Sequence, residues 1–155
     1  MISDRDFDSR ELHSFFERND ECFMRPLSES LVRFNITFGE YMKKLASLGT
    51  IAYERDSESG MLKGVVIGYT NNLPDDRGSY ITQVLTDKEY FRQGVCSRLL
   101  NEYKEYCMSK NIAYIWLTTE RSNIPAQCTY EKAGYIRVSY DSDRLVKYVL
   151  TLNAD

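Results

Sequence analysis

The chain has 155 residues, enough for one domain with a hydrophobic core. Hydrophobic residues make up 43% and aromatic ones 13%, a globular balance that excludes a disordered chain. The net charge of −3 argues against a general nucleic-acid binder, which carries a basic surplus or stripe.

The first residues, Met1 to Asp6, are charged and lack the apolar centre of a signal peptide. Asp8 and Glu11 have the spacing of a capping box, and Leu12, Phe15 and Phe16 share one helical face, so a helix is expected here. His13, the single histidine, lies in that helix as a boundary residue. Pro26 interrupts the helical pattern. Thr37 and Glu40 form a second capping box, opening a helix through Tyr41, Met42 and Leu45 that stops near Gly49.

Strands follow. Thr50–Arg55 and Met61–Thr70 flank a turn cluster, and Tyr80–Thr86 comes after a loop over Asn71–Gly78. These three read as an antiparallel meander. A strong helix then carries Val95, Leu99, Leu100, Tyr103 and Cys107 at helical spacing. Ile112–Thr119 is a strand, and a shorter helix runs from the cap Asn123 through Pro125 to a stop at Gly134. Tyr135–Tyr140 and Leu145–Leu152 form a closing hairpin around Asp141-Ser142-Asp143. The predicted fold is mixed α/β, a mostly antiparallel sheet with helices packed on it. The crossover helix makes the strands before and after it parallel. All 155 residues form one domain.

Two segments carry chemistry. Asp87 to Arg98 joins a strand to the long helix. The first N–H groups of a helix have no internal partner and sit at its positive end, so phosphate binds there readily. Gly94 permits close approach, Cys96 and Ser97 are small, and Arg92 and Arg98 are near enough to add charge. The same glycine also fits a plain strand-to-helix turn. The second segment is Asn123 to Tyr135, where Tyr130 lies two helical turns beyond Asn123 on roughly the same face. A tyrosine hydroxyl, pKa about 10, suits protonation of a leaving thiolate whose conjugate acid lies in the ~8–9 range. It equally suits a helix-facing core residue.

Together the two segments resemble the GNAT superfamily of acetyl-CoA-dependent acetyltransferases. Its phosphate-loop pattern is Gln/Arg-x-x-Gly-x-Gly/Ala, against Phe91-Arg92-Gln93-Gly94-Val95-Cys96 here. Its second pattern, Asn-x-x-Ala and then Tyr-Glu-Lys-x-Gly-Phe/Tyr, is met by Asn123, Ala126 and Tyr130 to Tyr135. The resemblance covers roughly residues 50–150. Phe91 and Cys96 depart from the pattern, and Cys96 in a first helical turn is expected to have a lowered thiol pKa.

The resemblance implies direct transfer of an acetyl group from acetyl-CoA to a small-molecule or protein amine, without a metal. The central parallel pair would splay to admit the cofactor. It places Val84, Leu85 and Thr86 beside the thioester, with Phe91, Arg92, Gln93, Gly94, Val95, Cys96 and Ser97 on the pyrophosphate. Asn123 would stand near the pantetheine and Tyr130 would act as general acid. Glu120 is the first candidate base, with Asp87, Glu89 or a water relay as alternatives; Gln83 cannot take a proton. Phe34, Phe38 and Tyr41 would line the acceptor groove. The expected setting is the cytoplasm, with no nucleic-acid or membrane partner and room for a homodimer.

The four cysteines share no C-x-x-C spacing, which removes zinc and thioredoxin readings and leaves free thiols. No apolar run approaches the ~18 residues of a membrane span. Two other readings stand beside the enzyme: a non-catalytic acyl-CoA-binding sensor on the same fold, and a doubly wound nucleotide-binding domain.

Overall fold

The computed structural model of the chain describes residues 1–4, 6–71 and 73–152. Arg5, in the opening segment, and Asn72, in the loop before the third predicted strand, lie outside the described residues.

Helix α1 (Ser9–Arg18) buries Leu12, Phe15 and Phe16 completely. Asp8 caps it by accepting the Arg10 and Glu11 N–H groups, but no capping box closes. The Glu11 carboxylate turns instead to Arg55, which it holds at 2.7 and 2.8 Å. A short helix α2 (Leu27–Val32) follows the proline read as an interruption. Asp20 starts it, accepting from the Leu27 N–H at 2.8 Å and the Ser28 hydroxyl at 2.6 Å. Helix α3 (Phe38–Leu48) opens with the expected reciprocal capping box of Thr37 and Glu40.

Seven strands form one sheet: β1 (Ile2–Asp4), β2 (Thr50–Arg55), β3 (Leu62–Thr70), β4 (Gly78–Thr86), β5 (Tyr114–Glu120), β6 (Ile136–Val138) and β7 (Leu145–Thr151). Their order is β1-β2-β3-β4-β5-β7-β6, and among the described residues only β4–β5 is parallel. One parallel pair in seven strands excludes the doubly wound reading, which needs a mainly parallel sheet. β1 has no signal in its three residues; it exists because β2 offers it an edge. The last hairpin forms as expected, with β7 inserted between β5 and β6.

Helices α4 (Val95–Ser109) and α5 (Ile124–Lys132) cover one face of the sheet, where Val66, Ile81, Leu99, Leu100, Tyr103 and Ile115 form the core. Helices α1, α2 and α3 cover the other, over Ile51, Val65, Ile67 and Leu85. Tyr103 pins α4 to the sheet. Its hydroxyl bonds Ser79 at 2.7 Å and sits where Gly68 leaves room; a Cβ there would lie 2.1 Å from it.

The site is positioned by a failure of pairing. β4 and β5 are in register only over Gly78↔Tyr114, Ser79↔Ile115 and Tyr80↔Trp116. Beyond these β4 is bulged: Gly68 pairs with Ile81 and Ile67 with Gln83, so Thr82 is the extra residue. A bulge bends and re-aims its strand. From that point β4 stays with β3, β5 stays with β7, and the sheet splits between them.

Candidate active site

The split opens into a groove of about 900 Å³. Asp87 donates its backbone N–H to the Lys63 carbonyl at 2.8 Å, and the ladder continues through Leu85↔Val65 and Gln83↔Ile67. Bonded groups alternate along an antiparallel strand. Gln83 and Leu85 therefore turn their polar backbone to β3, while Val84 and Thr86 turn theirs into the gap that β5 has left. All three residues from Val84 to Thr86 line the groove, but Leu85 sends its side chain into the core.

At the end of β4 the chain turns through Arg92 (φ 62°) and Gly94 (φ 75°) before α4 begins. Both are left-handed, which glycine tolerates and arginine adopts at a cost. Gly94 is the N-cap and supplies no side-chain acceptor. The first-turn N–H groups of Val95, Cys96 and Ser97 thus lack an internal partner and border the groove. These are the donors an anion needs. Phe91 is half exposed and also lines the groove; the Gln93 side chain makes a long bond back to the Glu89 carbonyl, at 3.5 Å.

Arg98 does not add its charge to that site. Its guanidinium takes both oxygens of Glu54 and the Gln93 carbonyl, bracing the turn from behind. Arg98 and Lys63 hold the Glu54 carboxyl down at about 2. Cys96 departs from its expectation as well: burial pushes its thiol up to about 11.

Across the gap stands α5. Asn123 caps it, its side-chain oxygen accepting the Ala126 N–H at 3.3 Å. Buried Gln127 ties the helix to the end of β5 through the Glu120 and Arg121 carbonyls. Tyr130 projects from this helix into the groove, 8% exposed, its ring among Tyr135 and Tyr148. Its hydroxyl bonds no described residue. Burial, with a smaller effect of nearby Cys96, raises its pKa above the ordinary value. The phenol therefore stays protonated at neutral pH. Cys96 packs against the cluster that holds Tyr130 and both line the groove, so the two motifs meet at the split.

Glu120 ends β5 and alternates with Thr118 and Trp116 on the α1–α3 face, where Trp116 stacks on Tyr80 at 4.3 Å. Arg144 holds its carboxylate. The two alternatives for a base part company. Asp87 is 4% exposed; burial alone would raise its pKa, but bonds from the Glu89 N–H, Arg18 and Asn19 bring it down, and its place is structural. Glu89 is exposed on the turn after β4. Gln83 donates to the Tyr41 hydroxyl at 2.8 Å, an arrangement between strand and helix with no sequence signal. Of the three aromatics expected in the groove, Phe34 lines it, Phe38 packs on His13, and Tyr41 reaches it only through Gln83. Sequence reasoning missed Arg25, Arg33 and Arg144, all of which line the groove.

All four cysteines are free. Among the described residues no helix is long and apolar enough to cross a membrane, and no group of three or more His, Cys, Asp or Glu is placed to hold a metal.

Comparison with known proteins bears on this geometry. The family model described as the acetyltransferase (GNAT) family matches residues 10–135. The chain is 29% identical over 104 residues to the N-terminal acetyltransferase B complex catalytic subunit NAA20 of Arabidopsis thaliana. That match takes in 66% of this chain and 59% of the relative's length. A GNAT-family acetyltransferase from Streptococcus pneumoniae shares the fold at a TM-score of 0.72, with 19% identity over 98% of this chain and 99% of that one. The ribosomal-protein-S18-alanine N-acetyltransferase of Escherichia coli does so at 0.65, with 18% identity over 97% and 92%.

Proposed function

The chain belongs to the acetyltransferase (GNAT) family, and on that footing we propose that it moves an acetyl group from acetyl-CoA to an amine by direct transfer. One observation carries this reading: the split between β4 and β5 is bordered by the uncapped start of α4 on one side and by the Tyr130 hydroxyl on the other.

The residues fit the cofactor. The N–H groups of Val95, Cys96 and Ser97 would hold its pyrophosphate, with Arg92 adding charge and Gly94 keeping the approach open. Val84 and Thr86 would offer their backbone groups to the pantetheine arm, as a lost strand partner would, with Asn123 beside it. A backbone N–H there also suits an oxygen that gains charge during transfer. The bound acetyl-CoA supplies the activated acyl group. Tyr130, protonated at neutral pH, then gives its proton to the departing sulfur. Glu120 takes the proton of the incoming amine from the opposite face of the split. Holding both substrates in one groove supplies much of the rate.

The acceptor is a small-molecule or protein amine; the name of the Arabidopsis relative points to protein N-termini for that protein. We place the reaction in the cytoplasm, a setting that suits four free thiols. A homodimer remains part of the proposal.

Calorimetry tests the reading. Acetyl-CoA should bind one to one, and no heat at millimolar cofactor would contradict it. A second reading, a sensor that holds acyl-CoA without turnover, is favoured by Phe91 at a position where the family pattern has Gln or Arg. Release of CoA thiol with a panel of amines would remove it.

A further inference from the structure

The groove is far more basic than the chain. It is lined by Arg25, Arg33, Arg92 and Arg144 against one carboxylate, Glu120, whereas the whole chain has 20 basic and 23 acidic residues. Two of the four arginines are accounted for. Arg144 is paired with Glu120, and Arg92 sits in the turn beside the uncapped helix. Arg25 and Arg33 are left. Both are exposed, and neither guanidinium makes a hydrogen bond or ion pair to a described residue. Elsewhere Arg18 is engaged with Asp87, Arg55 with Glu11 and Arg98 with Glu54, while the exposed Arg10 and Arg137 do not line the groove.

Leu27 and Leu31 of α2 bury into the core on the α1–α3 face, so this segment lies across the sheet from α4 and α5. The anion site at the start of α4 and the Tyr130 hydroxyl belong to the α4–α5 side. Arg25 and Arg33 border the groove from the side where Glu120, Gln83 and the Tyr80–Trp116 stack stand. A guanidinium without a partner is a ready donor to a phosphate or carboxylate, which it binds through paired N–H groups.

We infer that the amine acceptor itself carries an anionic group, a phosphate or a carboxylate, which Arg25 and Arg33 bind while its amino group reaches the split. The inference rests on the transfer reading for the word acceptor, but the anion site can be measured without turnover. Charge at this lip also attracts such a molecule over distance, an effect that salt screens within about 10 Å at 0.1 M.

The test is calorimetry on the CoA-saturated protein with four amines: glucosamine 6-phosphate, glucosamine, glutamate and its α,γ-diamide. At least one anion-bearing member should bind ten-fold or more tightly than its counterpart without the anion, and the preference should shrink as salt rises. The double variant Arg25→Ala/Arg33→Ala should abolish the preference and leave the affinity for CoA as it was. Both side chains are exposed and without partners, so the fold is expected to survive. Preference for the phosphate or for the carboxylate names the source of the anion. Equal binding of amines with and without the anionic group, or a preference that survives the double variant, would overturn the inference. A parallel thiol-release assay reads the transfer reaction alone, so its failure would fall on that reading and not on the anion site.

Discussion

Arg98 grips both carboxylate oxygens of Glu54 at 2.9 Å, from the first turn of α4 to the end of β2. The same guanidinium donates to the Gln93 carbonyl at 2.8 Å and so holds the turn before Gly94 in place. Arg98→Ala should leave the protein folded but loosen that turn, weakening CoA binding several-fold and costing on the order of 1 kcal/mol of stability, since the arginine is half exposed. The Glu54 carboxyl is depressed from 4.5 to about 2, so its contribution is complete above the unfolded value and lost as pH falls from there through about 2. Denaturation followed against pH should show the wild-type advantage over Arg98→Ala at neutral pH and its disappearance in acid.

Gly94→Ala forces a side chain into the left-handed region at φ 75°, and its Cβ would stand 3.0 Å from an Arg98 nitrogen. The backbone cost alone is about 1–2 kcal/mol. Titration with CoA should show a marked loss of affinity alongside a lower melting temperature.

The meander, the crossover helix and the two motifs were legible in the sequence because each is a local pattern. The capping box of Thr37 and Glu40 and the cap at Asn123 are examples, written within a few residues. The split was not legible. It depends on the bulge at Thr82 and on the point where Trp116 stops pairing, and neither has a local signature. Long-range ties were hidden for the same reason. Glu11 has capping-box spacing but finds a stronger partner in Arg55, and Arg98 next to a phosphate loop is claimed by Glu54. Cys96 misled because its helical position is visible in sequence and its burial is not.

Tyr130→Phe removes a hydroxyl that bonds no described residue, so no buried partner is orphaned and the fold should hold. Turnover should fall by roughly 10²-fold or more while the dissociation constant for acetyl-CoA stays within about two-fold. Steady-state kinetics beside calorimetry separates the two; unchanged turnover would remove Tyr130 from the acid's role.

Gly68→Ala tests how α4 is seated. The added Cβ would lie 2.1 Å from the Tyr103 hydroxyl and 2.7 Å from the Tyr80 carbonyl oxygen, and the second is backbone that has little room to yield. Loss of about 1–3 kcal/mol is expected from such overpacking, read by urea denaturation. Because Tyr80 is the last residue paired with β5, cofactor affinity should fall as well.

The most direct measurement is a crystal structure of the chain with acetyl-CoA. The pyrophosphate should lie within hydrogen-bonding distance of the Val95, Cys96 and Ser97 N–H groups, with the pantetheine arm between β4 and β5 against the backbone of Val84 and Thr86 and its sulfur next to the Tyr130 hydroxyl. A cofactor bound outside the split, or one whose sulfur lies far from Tyr130, would contradict the proposed site.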